Sequence, residues 1–399
     1  MTPASHALRG RVVTPTAVLP DGVVVVHDAD IAWVGPAREA VRDGFGAEAA
    51  GAEAVEGYLL PGLVDLHCHG GGGVGFPDAT TPAEAQLAVD EHRRHGTTSL
   101  VASLVTATPE TLRARTRTLA PLCRAGELAG IHYEGPFLSS DRCGAQDPAL
   151  VQLPDPGLTV ELLTLGEGTV VTMTIAPEHA TPDVLRVLVE GGAVPSFGHT
   201  DADPGTTRQA VRLATDLLAT TPARRSRRPT VTHLFNGMRP LHHRDPGPVG
   251  ELLAAARHGA VAVELIGDGT HLAGCLVRAV AEIVGAENVV LVTDAMAAAG
   301  MPDGAYRLGS RDVTVRGGVA RLADGGAIAG GTAHLLDVVR TTHAAGVPLV
   351  DAVAMASTVP AEVLGDRTIG ALAAGRRADM VTVDADLRPR RVIRHGRDT

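Results

Sequence analysis

Lysine is missing from all 399 residues of the chain. Its absence excludes Schiff-base catalysis by lysine, a phosphate-binding P-loop lysine and a carbamylated lysine bridging two metals. Aromatic residues make up only 2%, so the core of a chain that is 45% hydrophobic must be filled by Val, Leu, Ile and Ala. That apolar content is too high for disorder. The four cysteines, Cys68, Cys123, Cys143 and Cys275, follow no disulfide or zinc-knuckle spacing. They fit reduced thiols in a cytoplasmic protein. No apolar run reaches the ~18 residues of a membrane span, and Met1-Thr2-Pro3-Ala4-Ser5-His6 lacks the charged-then-apolar pattern of an export signal, so no membrane association is expected. The formal net charge is -10, and no basic face is concentrated enough for sequence-independent nucleic-acid binding. The one basic block, Arg224-Arg225-Ser226-Arg227-Arg228 between Pro222 and Pro229, reads as a solvated loop.

Both ends of the chain carry short β-type runs, from Val12-Val13 to Ile31-Ala32-Trp33-Val34 and from Ala378 to Gly396. Together they predict a small β-sandwich domain built from residues 1–56 and 367–399. The middle, residues 57–366, holds eight apolar strand candidates ending near His67, Ser103, Glu134, Thr174, His199, His233, Gly267 and Asp294. Most are followed by helix-like stretches, several opened by a capping residue and proline, as at Thr108-Pro109 and Thr181-Pro182. Eight such α/β units in succession predict a (β/α)8 TIM barrel. A hairpin-like insert is expected over Tyr306 to Ile328, before helices at about 332–345 and 349–356.

The chemistry-bearing residues gather where those strands end. His67 and His69 stand at i and i+2, so both rings leave one face of a strand, with Gly70 to Gly73 leaving open space beyond. Glu134, His199, His233 and Asp294 close four other strands. In a barrel all these ends share one rim, and buried carboxylates and imidazoles converging there need a compensating charge. One or two divalent cations would supply it, with Glu134 the bridging carboxylate if there are two. Imidazole and carboxylate together suit Zn, and also Fe, Mn or Co, rather than Ca or Mg. Beside such an ion, Asp294 could take a proton from water and return it to a leaving amine, which makes an amide hydrolase. A second group, Asn236, the Gly237 N–H, Arg244 and His271, could cradle a phosphate; a solvated salt bridge is the alternative for Arg244.

The segments Pro61 to Gly70, His132 to Phe137, Gly198 to Ala202, Thr232 to Met238, Asp268 to His271 and Val292 to Ala295 resemble, in order, the N-acetylglucosamine-6-phosphate deacetylases of the amidohydrolase superfamily. The resemblance implies removal of acetate from N-acetyl-D-glucosamine 6-phosphate, or from its galactosamine counterpart. Another N-acyl hydrolysis, or a non-catalytic assembly role for the barrel, is a more distant possibility. It implies Glu134, His199 and His233 as ligands of a principal metal, His67 and His69 as ligands of a second, and Asp294 as general base and then acid. Asn236, Gly237, Arg244 and His271 would contact the sugar phosphate, Arg244 from a neighbouring subunit of a homodimer, and His271 would also orient the carbonyl. Gln146 stands where the family commonly has histidine, which bears on sugar selectivity. Cys143, on the loop after the third strand, would edge the site as an inert thiol.

Overall fold

A computed structural model describes residues 5–222 and 224–399; Met1 to Ala4, read above as free of an export pattern, lie outside them. Eight parallel strands follow one another in sequence and in space: Leu63–Cys68, Thr97–Leu104, Gly130–Glu134, Val170–Ile175, Val194–Phe197, Thr230–Val231, Ala262–Leu265 and Val289–Leu291. The eighth closes on the first through a parallel bridge between Cys68 and Ala295, where Asp294 N–H donates to His67 O at 2.8 Å. The expected (β/α)8 barrel is therefore formed, and its strands end within three residues of the expected positions, the fifth, sixth and eighth stopping before His199, His233 and Asp294.

Five of the helices open in one way. Thr81, Thr108, Asp155, Thr181 and Asp203 accept a hydrogen bond from the first turn, and Pro82, Pro109, Pro156, Pro182 and Pro204 occupy its first position. Proline lacks the N–H that would be left unpaired there, and each cap stabilises its helix by about 1 kcal/mol.

The interior is layered. Near the strand entrances Val64, Leu66, Val171 and Val290 meet Val359 and Val363 of the short helix Thr358–Leu364, which plugs that end. Above lies a belt of hydrogen bonds from Ser103 Oγ to His132 Nδ1 (2.9 Å), His132 Nε2 to Thr174 Oγ1 (2.8 Å), Thr174 to Thr232 (2.7 Å) and Thr232 to Ser196 (2.6 Å). These fully buried polar groups satisfy one another, so the belt is a rigid floor for whatever sits above it.

The chain ends build a separate domain whose strands hydrogen-bond as one seven-stranded sheet. Its pivot is Glu53–Pro61, parallel to Ser5–Val13 and antiparallel to Met380–Val383. This strand belongs to the terminal sheet as far as Pro61, past the boundary expected at residue 57, and continues through Gly62 into the first barrel strand. The insert after the eighth strand is a three-stranded meander, Gly304–Leu308, Arg311–Arg316 and Val319–Leu322, rather than a hairpin. Two left-handed turns, at Gly309 and at Gly317-Gly318, divide it.

Candidate metal centre and substrate cavity

Four histidines and one glutamate converge above the floor. Glu134 Oε1 lies 2.8 Å from both His199 Nε2 and His233 Nε2, while Oε2 lies 3.1 Å from His69 Nε2 and 3.9 Å from His67 Nε2. Within each histidine pair the Nε2 atoms are 3.1 Å apart. Glu134 thus turns one oxygen to each pair, and the potential ligand atoms of either trio fall within 4.8 Å of one another. Asp294 Oδ1 joins the first pair, 3.3 Å from His67 Nε2 and 3.2 Å from His69 Nε2.

The outer ring nitrogens decide what the inner ones offer. His69 Nδ1 lies 3.2 Å from the Ser103 carbonyl oxygen and His199 Nδ1 lies 2.8 Å from that of Arg142. A carbonyl only accepts, so each Nδ1 carries the hydrogen and each neutral ring turns its Nε2 lone pair inward. Each of these inward lone pairs faces a second histidine Nε2 at 3.1 Å and an oxygen of Glu134, a donor set open to a cation. Two imidazoles and a shared carboxylate are ligands that a divalent ion takes, so the donor set fits a metal. Without one, burial opposes charge on His69, yet its hydrogen bonds to Asp294 and Glu134 prevail and raise the ring to about 10. Burial likewise opposes ionisation of Glu134, but His199 and the other rings hold its carboxyl well below the usual range.

Local backbone makes this convergence possible. Val64 and Leu66 point into the barrel, and so do His67 and His69; the ladder to the second strand is irregular between Asp65 and Cys68, where an added residue shifts the alternation. His199, His233 and Asp294 all adopt left-handed backbone, with φ of 46°, 28° and 48°. Such conformations cost of order 1–3 kcal/mol each and persist where surrounding structure enforces them.

Beyond the centre opens a cavity of about 260 Å³, lined by His69, Glu134, His199, His233 and Asp294 and, further out, by Gln146, Asn236, Gly237 and His271. Gln146 Oε1 accepts from Thr106 N–H at 2.8 Å, which aims its amide N–H at Glu134 Oε2. His271 Nδ1 meets Asp268 Oδ2 at 2.8 Å. Burial opposes charge on His271, but the Asp268 hydrogen bond and the charge of Asp294 raise its pKa. Gly237 also has a packing role: a Cβ there would sit 2.7 Å from His199 Nδ1.

The sequence model of the amidohydrolase family matches residues 58–216 and 232–397. The chain belongs to the amidohydrolase family. It is 33% identical to the N-acetylgalactosamine-6-phosphate deacetylase of Escherichia coli O157:H7 over 96% of both proteins. It is 32% identical to the N-acetylglucosamine-6-phosphate deacetylase of Bacillus subtilis (strain 168), over 94% of this chain and 92% of that one. A mutant N-acetyl-D-glucosamine-6-phosphate deacetylase from Mycobacterium smegmatis, solved in complex with N-acetyl-D-glucosamine-6-phosphate, matches it with a TM-score of 0.89 and 42% identity over 99% of each chain.

In this amidohydrolase one expected contact stays apart. Arg244 is exposed and does not line the cavity; its Nη1 lies 2.9 Å from His243 Nε2, within a turn bridged between His242 and Asp245. Cys143 lies one residue before the lining segment at Gly144, and burial pushes its thiol up, so it is no ready thiolate. Glu264 is a member the sequence reading passed over. It is buried on the seventh strand, with Oε2 3.2 Å from His67 Nδ1 and 3.2 Å from the His233 backbone N–H. An acid inside Ala262-Val263-Glu264-Leu265 was the available signal. Leu308 and Ile328, which wall one side of the cavity from the meander and the loop after it, carried no signal beyond being apolar.

Proposed function

We propose that this amidohydrolase hydrolyses the acetamido group of N-acetyl-D-glucosamine 6-phosphate to D-glucosamine 6-phosphate and acetate. One observation carries the reading: Asp294 stands against the Glu134-bridged histidine pairs at the base of a cavity whose outer wall is Asn236, Gly237 and His271. A carboxylate beside an acidified water and under a polar cradle is what cleaving an amide on a sugar phosphate needs.

Glu134, His199 and His233 would hold one divalent ion, and His67 and His69 a second that shares Glu134; zinc suits these donors best. When bound, the metal supplies Lewis acidity toward the amide carbonyl and lowers the pKa of a nearby water. Asp294 takes the water proton on a carboxylate oxygen and returns it to the departing nitrogen, so the acetyl carbon gains hydroxyl and the sugar leaves as a free amine. His271, its Nδ1 fixed by Asp268, keeps Nε2 for the substrate carbonyl. Asn236 donates to the His233 carbonyl at 3.1 Å, which orients its own carbonyl oxygen for a sugar hydroxyl.

Arg244 stands on an exposed loop, and we assign its phosphate contact to the partner cavity of a homodimer. The four cysteines are all free thiols, which supports a cytoplasmic setting. The galacto epimer is the second reading, supported by the Escherichia coli relative and by Gln146 in place of the family's histidine. Acetate release should be measured on both sugar phosphates and on the unphosphorylated sugar. Faster turnover of the gluco epimer is expected. Equal rates with and without the phosphate would remove the phosphate cradle, and no acetate from any of the three would remove the function.

A further inference from the structure

The opposite end of the barrel holds a larger and differently charged space. A cavity of about 840 Å³ opens where strands enter, walled by Arg224, Arg225, Arg227, Arg228, Arg367 and Arg376. Its acidic lining is Glu287, Glu362 and Asp366, so three positive charges stand in excess. The residues just before the sixth, seventh and eighth barrel strands contribute to it, which sets it across the barrel's length from Asp294.

None of the six arginines pairs with a carboxylate among the described residues; those that are bonded spend their N–H groups on neutral oxygens. Arg225 donates to the carbonyls of Gly192 (3.1 Å), Leu364 (3.2 Å) and Gly168 (3.1 Å). Arg228 donates to the Asn288 side chain and to the Glu287 carbonyl, the latter at 2.7 Å. Arg224 and Arg376 donate to the carbonyls of Thr221 and Ile369. Half-buried guanidiniums tied to carbonyls keep their full charge, and burial depresses the pKa of both Arg225 and Arg228. In a protein of net charge -10, an excess of three cations in one cavity is a cost to the fold unless something anionic balances it.

We propose that this cavity binds a small polyanion carrying two or more phosphate groups. Arginine forks take phosphate oxygens two at a time, and the excess of three charges matches such a ligand. No aromatic residue lines the cavity. It therefore offers no platform for stacking a base, and recognition is through the phosphates.

The test is calorimetric titration of the metal-loaded protein with fructose 1,6-bisphosphate, with glucosamine 6-phosphate saturating the opposite mouth. Saturable binding of one molecule per chain is expected, weakening as salt is added. The double substitution Arg227→Glu, Arg367→Glu should weaken it by about a hundredfold while leaving turnover unchanged, because both side chains are exposed and stand far from the metal centre. Should that protein fold poorly, Arg227→Gln with Arg367→Gln should still weaken binding by about tenfold. Heats no larger than those of sodium sulfate at equal ionic strength, or unchanged affinity in a well-folded variant, overturn the site.

Discussion

Glu264 Oε2 lies 3.2 Å from His67 Nδ1, so a carboxylate on the seventh strand orients a histidine on the first. The same oxygen takes the backbone N–H of His233, which ties both histidine pairs to one side chain. Such outer carboxylates fix the ring tautomer and strengthen the inner nitrogen as a donor. Glu264→Gln keeps the shape but removes the charge, and its amide N–H could meet His67 Nδ1 and reverse that tautomer. Metal affinity, measured by competition with a chelator, should fall by about 10–100-fold with the fold intact. Unchanged affinity would mean that Glu264 only fills space.

Asp294→Asn separates proton transfer from metal holding. The donors around Glu134 remain in place, so metal content should stay near that of the parent protein. The amide cannot accept a proton, and turnover should drop by about a hundredfold to ten-thousandfold. A near-normal rate at normal metal content would assign the proton to another group.

Gly237 is tested differently, because both its backbone and its missing side chain matter. Its φ is 59°, and a Cβ would come 2.7 Å from His199 Nδ1 and 2.9 Å from Cε1. Gly237→Ala should therefore cost about 1–2 kcal/mol of stability through the left-handed backbone alone. Pushing His199 should also weaken metal retention beyond that cost. Parallel loss of stability with unaltered metal affinity would confine Gly237 to a backbone role.

The barrel and most of the centre were legible because both depend on residue type and spacing within short segments. The apolar runs stop at Glu134, His199, His233 and Asp294, and parallel strands bring such ends to one rim. What sequence could not supply comes from tertiary pairing. The left-handed backbone at His199, His233 and Asp294 and the extra residue in the ladder between the first and second barrel strands depend on partners far along the chain, not on local spacing. The Arg224 to Arg228 block is a loop, as its prolines suggested, yet carbonyls of Gly168, Gly192 and Leu364 draw Arg225 into a cavity wall. Those partners lie far away in sequence, and nothing in the block itself announces them.

Asp337, which is not among the groups that converge on Glu134, carries a prediction about acid stability. It closes a capping box at the start of the helix Leu335–Ala344, accepting from His334 N–H at 3.2 Å. Burial raises its pKa, but the His334 ring, Arg340 and that backbone N–H outweigh burial and lower it to about 2 from 3.8. The folded state therefore favours the charged form, and the stabilisation is complete above the unfolded value of 3.8 and lost as pH falls through about 2. Because Asp337 is partly exposed, solvent screening trims the contribution to about 1 kcal/mol. Asp337→Asn retains the acceptor for His334 N–H and removes only the charge. Denaturant midpoints of the two metal-loaded proteins should differ at pH 7, and the gap should narrow as pH falls below 3.8 toward 2. Acid release of metal affects both proteins alike and cancels in the difference, so a gap that stays constant down to pH 3 would show that hydrogen bonding rather than charge holds this cap.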